Sequence, residues 1–453
     1  MENKPPIARA GIDEIITLPN DSVLLDGSTS SDVDGIIITY KWANILSPAS
    51  PNISTPDSSK SMVSALIEGF YQFELTVQDD GGLFAKDTVQ VSVNALVNQP
   101  PLAYGCNDTN RTYISAQLIP AGKMTLAGVR RVVASVGNKI VFAGDNCCGG
   151  SDAVDIYDII TQTCTPARLS IARWGMAVVS AGNRIFFAGG TWGDGSSSNR
   201  YYNTVDIYDV STNTWSVAAL SRARSGIAAA VVGNKVFFAG GETERDYAPT
   251  DIVDIYDLST NTWSKDKLSA PRSYITAATI NNKIYFAGGH VDGQNGYTTK
   301  TIDIYDNATG TWSTAALHEP KVMFSAIAAE GKIYWAGGFA QNYKVSCEVE
   351  IEDVATRKRS FANLFKEGVW LQNAGYNPVI KDRKIIFLRT GWLQSPDDKF
   401  DMFDMATGTW LIGKLPGGMT FQEASVISVN NTIYLGGGYV NGVPSNQIYK
   451  LEF

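Results

Sequence analysis

A short apolar segment ending in a glycine pair recurs along most of this 453-residue chain. Val236-Phe-Phe-Ala-Gly-Gly241, Ile185-Phe-Phe-Ala-Gly-Gly190, Ile284-Tyr-Phe-Ala-Gly-Gly289 and Ile333-Tyr-Trp-Ala-Gly-Gly338 are close copies. Ile433-Tyr-Leu-Gly-Gly-Gly438 and Ile140-Val-Phe-Ala-Gly-Asp145 are looser ones, and Ile385-Ile-Phe-Leu-Arg-Thr390 is degenerate. Their first-glycine positions, from Gly144 through Gly189, Gly240, Gly288, Gly337 and Arg389 to Gly437, recur about every 50 residues. A unit of that length made of short β segments cannot bury both its faces alone. Neighbouring units must stack, and the period predicts a propeller.

Each repeat reads alike. An apolar run of small residues, such as Gly226-Ile-Ala-Ala-Ala-Val-Val232, leads through a two-residue turn into the glycine strand. The expected turns are Gly137-Asn138, Gly182-Asn183, Gly233-Asn234, Asn281-Asn282, Glu330-Gly331, Lys381-Asp382 and Asn430-Asn431. Gly and Asn tolerate the positive φ that tight hairpins demand. A third strand follows, as in Val205-Asp-Ile-Tyr-Asp209 and Ile302-Asp-Ile-Tyr-Asp306. Further on, an outer strand carries Cys164, Trp215, Trp263, Trp312, Arg359 and Trp410 at equivalent places. These tryptophans are expected to pack between blades rather than to stack on a ligand, and Cys164 to be a buried small hydrophobe.

The order glycine pair, acid-Ile-Tyr-Asp, then Thr-Trp resembles the kelch pattern over residues 110–453. The match is strong in repeats two to four. It weakens in the first, fifth and sixth, where Asp145, Glu352, Arg359 and Arg389 depart from it. The resemblance implies a kelch-type β-propeller, and the repeats with the two ends of the sequence predict seven blades. Its last repeat ends after three strands, and Thr112-Tyr-Ile-Ser-Ala-Gln-Leu118 is similar to Thr214-Trp-Ser-Val-Ala-Ala-Leu220. An N-terminal strand is therefore expected to complete the C-terminal blade, with Tyr113 in the Trp position, which removes a sheet edge.

Residues 1–95 lack the repeat. Short alternating runs such as Tyr71-Gln-Phe-Glu-Leu-Thr-Val77 and Thr88-Val-Gln-Val-Ser-Val93 between Pro, Asn, Asp and Gly clusters predict a small antiparallel β-sandwich. Leu25-Asp-Gly-Ser-Thr-Ser-Ser-Asp-Val-Asp-Gly35, Tyr40-Lys-Trp42 and Gly69-Phe-Tyr-Gln-Phe-Glu-Leu-Thr-Val-Gln-Asp-Asp-Gly81 resemble a PKD domain. The resemblance implies an all-β, Ig-like spacer or adhesive module of exported and surface proteins, with Trp42 as its inter-sheet aromatic. Asp32 and Asp34 are candidate Ca²⁺ ligands, or acceptors for their own turn. Residues 96–108 read as a linker and 109–453 as the propeller.

A net charge of −8 argues against nucleic acid and anionic membrane surfaces. No run approaches the roughly 18 apolar residues of a membrane span. The start Met1-Glu-Asn-Lys-Pro-Pro has no apolar signal core, so either the chain is cytosolic or an export segment has been removed. Five cysteines, two of them the vicinal Cys147-Cys148, do not make a disulfide framework.

Function on a propeller is expected in the loops of one face. The connections between blades place Arg173 with Trp174, Arg224, Arg272 with Tyr274, Lys321 and Gln372 at equivalent positions, and the loops after the second strand carry Trp192 and Tyr297. Four consecutive cations in an acidic protein predict a mouth for a carboxylate or anionic glycan, with aromatic faces for stacking. The alternative is that each cation pairs within the repeat. Copper chemistry of the galactose oxidase type is rejected, since His290 and His318 fall in different loop classes. No zinc spacing, nucleophile elbow or phosphate loop is present. A carboxylate pair for sugar chemistry is available only from the common loop acids Glu242, Glu244, Asp246 and Asp292.

The expected function is non-catalytic recognition or adhesion, through the mouth loops, of a glycan or surface protein. A monomer outside the cell or at its surface is expected, without nucleic acid, membrane insertion or any cofactor but that Ca²⁺. The alternative is an enzyme acting on an acidic sugar, of the epimerase or hydrolase class.

Overall fold

A computed structural model of the chain describes residues 3–17, 21–48, 50–67, 69–94, 111–144, 150–193, 200–243, 247–292, 297–341, 344–365, 377–388 and 398–453. The chain divides into two compact units, Met1–Leu102 and Ala103–Phe453. The expected linker lies outside the described residues.

The first unit is a two-sheet sandwich. One sheet orders Glu14–Thr17, Phe84–Asn94, Gly69–Asp79 and Ile37–Leu46, and the other orders Val23–Asp26, Lys60–Ser64 and Asn52–Ile53. Alternation places Tyr71, Phe73, Leu75 and Val77 inward, and they meet Trp42, Leu25 and Val63 in one core. Trp42 donates from Nε1 to the Ser58 carbonyl at 3.0 Å, so its only polar atom is satisfied as it is buried. It is the core aromatic that the sequence predicts.

In the second unit, seven sheets, each built on four antiparallel strands, follow one another among the described residues. Their innermost strands are Val132–Val136, Ala177–Ala181, Ala228–Val232, Thr276–Ile280, Ser325–Ala329, Asn377–Lys381 and Ser425–Val429. Each touches the next, and the last touches the first. The apolar core is divided accordingly into clusters that each join two adjacent blades. Phe237 and Val253 meet Ile284 and Phe286, and Tyr434 and Ile448 of the last blade meet Ile140 and Phe142 of the first. Trp215 stacks on Tyr208 at 4.9 Å within such a cluster, and Trp312 donates to Asp266 of the preceding blade at 2.7 Å. Where Arg359 replaces the tryptophan, its guanidinium reaches the Ala316 carbonyl of the preceding blade. Cys164 is a free thiol, half-buried against the cluster joining the last and first blades rather than fully buried, and its burial pushes it up to about 12.

Two local expectations are corrected. The strand completing the last blade is Gln117–Lys123, paired with Gln447–Glu452. Thr112–Ser115 instead runs parallel to Thr409–Lys414 as a fifth strand of the sixth blade, leaving Tyr113 about half exposed at 51%. The cause is steric and polar: Ala121 and Gly122 fit beneath Tyr157 of the first blade, which donates to the Ala121 carbonyl at 2.6 Å. The sixth hairpin turns at Asp382-Arg383, because Lys381 pairs with Lys384. Positive φ falls only on the first central residue in the Gly-Asn turns, the pattern of type II′, and on both in the Asn-Asn turns, the pattern of type I′.

The predicted cations are placed inside this framework. Arg173, Arg224, Arg272 and Lys321 each have 0% exposure. Arg173 pairs with Asp206 at 2.6 Å, Arg224 with Asp254, and Arg272 with Asp303. Each of these acids is the first acid of its acid-Ile-Tyr-Asp strand, and its second oxygen accepts a backbone N–H from the outer strand or outgoing loop of the preceding blade, from Ser170, Ser221 and Ser269. The Arg272 guanidinium also donates to the carbonyls of Gly288 at 2.7 Å and Thr301 at 2.9 Å. In the fifth blade Lys321 pairs with Glu348 at 2.9 Å. The glycine pair makes room for this chain path: a Cβ on Gly240 would lie 2.5 Å from the Arg272 carbonyl oxygen.

Removing one partner of a fully buried, hydrogen-bonded pair leaves an uncompensated charge. Arg272→Ala is expected to lower the unfolding free energy by about 3–5 kcal/mol. Arg168→Ala, which deletes an exposed pair with Asp152, should cost under about 1 kcal/mol. Urea unfolding of both variants checks this, and equal small losses would contradict it.

Candidate functional site

The inter-blade connections and the loops after the second strands meet at one end of the ring, as the sequence predicts. Trp174 pairs by backbone bridge with Thr191, Ser225 with Glu242, Ser273 with His290 and Val322 with Phe339. The connections run on into the innermost strands, and those entering the first five blades line a cavity of about 330 Å³. Trp174, Met176, Ile227, Tyr274, Met323 and Phe324 supply most of its apolar wall, with Arg130 at one side.

Of the eight predicted ligand-binding residues, Trp174 and Tyr274 line this cavity. Trp192, in a short strand paired with Arg200–Tyr201, is 48% exposed and Tyr297 is 58% exposed, and both lie outside its wall. Arg173, Arg224, Arg272 and Lys321 are spent on the framework, so the expected cationic mouth is not formed by them. Gln372, Glu244 and Asp246 lie outside the described residues. Arg130, Met176, Met323 and Phe324 were not foreseen from the sequence; Arg130 and Met323 stand 14 residues before the first glycine position of their repeats, and Met176 and Phe324 stand 13 before it.

Polar atoms at the cavity are paired internally. Arg130 forms an ion pair with Glu423. The Ser225 hydroxyl donates to the Gly175 carbonyl at 3.2 Å, and the Thr276 hydroxyl to the Phe324 carbonyl at 2.5 Å. Tyr274 packs its ring against Gly226 and donates to Glu242 at 3.0 Å, and Tyr201 donates to the same carboxylate oxygen at 3.1 Å. Burial pushes the Glu242 carboxyl above its ordinary value, with the two phenol hydrogen bonds opposing. Burial, reinforced by that carboxylate, raises the Tyr274 phenol well above its own, and burial lowers His290. His290 sits edge-on to Tyr274, ring centroids 6.0 Å apart. Glu242 therefore supports the wall from behind and does not open onto the cavity.

In the sandwich, Asp32 accepts from the Asp34 backbone at 3.4 Å and Asp34 from the Lys4 backbone at 3.3 Å. One Asp32 oxygen is buried without a hydrogen-bond partner, beside Asp80 over Gly35. Among the described residues no group of three or more His, Cys, Asp or Glu is placed to hold a metal ion. Ca²⁺ at this turn would need backbone carbonyls and water beside these carboxylates to reach its roughly six to eight oxygens.

Residues 175–360 match the KLHDC2/KLHL20/DRC7 Kelch-repeats domain, and residues 10–93 match a PKD domain. The chain thus joins a PKD domain to a kelch-repeat domain. The mouse (Mus musculus) dyslexia-associated protein KIAA0319-like protein is 42% identical over 101 residues, 22% of this chain and 10% of that one. Human (Homo sapiens) low-density lipoprotein receptor-related protein 11 is 40% identical over 92 residues, 20% of this chain and 18% of that one. The chain therefore spans between a tenth and a fifth of the length of these curated relatives. The solution structure of the PKD domain from KIAA 1837 protein shares 40% identity, covering 19% of this chain and 85% of that chain, with a TM-score of 0.19.

The raised Glu242 carboxyl has a consequence for stability. A carboxyl raised in the folded state favours folding when protonated, and that contribution is lost as pH rises from the ordinary glutamate value through the folded one. Glu242→Gln, which keeps an acceptor for both phenols, should remove this loss. Wild-type stability relative to the variant is expected to fall across that window, and parallel pH profiles in thermal unfolding would contradict the assignment.

Proposed function

We propose that the chain is a non-catalytic recognition protein whose propeller mouth binds a glycan or protein partner outside the cell. The observation that carries this reading is the cavity with an aromatic and thioether wall, which Trp174 and Tyr274 both line while the neighbouring carboxylate and cations are tied into the frame. Such a site offers stacking and apolar contact without an acid–base pair aimed at its contents. The PKD domain serves as spacer or adhesive partner to this head. Placement outside the cell is supported by the disulfide at Cys347 and by the receptor-related name of one relative. Among the described residues no helix is long and apolar enough to cross a membrane.

The test is binding of the full chain to an array of neutral and anionic glycans and to intact cell surfaces, beside Trp174→Ala. Binding should fall by about tenfold or more in the variant, the scale of one aromatic contact at a binding hot spot. Its salt dependence should be shallow, because the cations near the mouth are paired. Equal binding by both proteins would place the site elsewhere.

A further inference from the structure

The cavity is framed by a repeated backbone conformation whose occupants are not those the fold requires. Arg130, Gly175, Gly226, Tyr274, Met323 and Glu423 each stand fourteen residues before the first glycine position of their repeat, as Met323 does before Gly337. All six are left-handed, with φ of 51°, 66°, 62°, 51°, 52° and 57°. Five of them line the cavity, and the sixth, Glu423, pairs with Arg130. Glycine meets this backbone demand without strain and does so at two positions. The ring's hairpin turns meet the same demand mostly with Gly or Asn. Tyr, Met, Arg and Glu have no such preference, so the mouth retains four side chains against backbone strain.

For three of the four the frame itself supplies a reason. Arg130 and Glu423 neutralise each other, and Tyr274 is held by Glu242. Met323 is different: among the described residues it joins none of the apolar clusters that bind blade to blade, yet it lines the cavity. Its neighbour Phe324 does the packing in its place.

We infer that Met323 is a recognition residue, and that with Trp174 and Tyr274 it receives an uncharged, apolar side chain of a protein partner. This rests on the mouth reading above and narrows it. Charge complementarity selects the occupant, since Arg130 and Glu423 cancel and the Ser225, Thr276 and Tyr274 hydroxyls are directed at groups within the chain. A sugar ring would find few donors or acceptors directed at it, and an acidic or basic group would be desolvated without a partner. A volume near 330 Å³ accommodates one large apolar side chain with its backbone, and an unbranched thioether adapts to its shape.

The test pans a phage-displayed library of random linear peptides on the full chain, then titrates the enriched peptides against wild type, Trp174→Ala, Met323→Gly and Met323→Asn. The expected peptides share an uncharged apolar anchor and lose about tenfold or more in affinity to both Met323 variants, a contact of ~1.4 kcal/mol. Both variants should keep or raise the wild-type melting temperature, because Gly and Asn relieve the left-handed strain. A sharp drop in melting temperature would make Met323 a packing residue and overturn the inference. So would undiminished binding by both Met323 variants, an anchor that is charged, or a library that yields no binder. Loss in Trp174→Ala with retention in the Met323 variants would defeat the inference and leave the mouth reading standing. Peptides indifferent to all three substitutions would defeat both.

Discussion

The ring depends on a buried ion pair repeated from blade to blade. Arg173–Asp206, Arg224–Asp254 and Arg272–Asp303 join the segment entering a blade to that blade's third strand, and the acid's other oxygen takes a backbone N–H from the blade before. One side-chain pair thereby fixes three chain segments where a four-stranded sheet would otherwise end in unsatisfied backbone groups. The equivalent acids of the first and sixth blades are also paired, Asp155 with Arg131 at 2.5 Å and Asp401 with Arg111, from the N-terminal segment, at 2.7 Å. A buried pair adds little over an apolar substitute of equal volume, yet it punishes misregistration, because a slipped strand would leave a buried charge unpaired. Its contribution is to register more than to net stability.

Around these pairs the apolar core is partitioned between neighbouring blades, so each blade is stable only through the next. Closure by Gln117–Lys123 extends that dependence across the two ends of the ring. Because the frame consumes its polar interactions at its own junctions, the mouth is left with what the frame does not need: the faces of Trp174 and Tyr274 and the Met323 thioether.

Much of this was legible in the chain. The glycine period, the hairpin residues and the Trp positions each report a local requirement, so the propeller and its blade junctions could be read directly. The direction of the cations could not. Arg224 and Asp254 are 30 residues apart, and spacing alone does not say whether a guanidinium turns toward the ring interior or toward the mouth. The acid that opens each acid-Ile-Tyr-Asp strand was the available clue, since its side chain is buried in a blade whose neighbours are apolar. Tyr113 misled for a related reason: an aromatic in a Trp-like context suggested the closing strand, whereas closure selects the small Ala121 and Gly122 beneath Tyr157. The left-handed ring at the mouth was hidden because Tyr274, Met323, Arg130 and Glu423 carry no compositional sign of positive φ.

The central claim is that the repeated arginines are architecture and not a ligand-facing surface. Arginine-selective labelling of the native full chain with p-hydroxyphenylglyoxal, read by peptide mapping, addresses it most directly. Arg168 and Arg222, both exposed, serve as internal standards. Arg173, Arg224 and Arg272 should stay unmodified until the chain is unfolded and then react like the standards. Modification of these three at the standards' rate in the native protein would contradict the account.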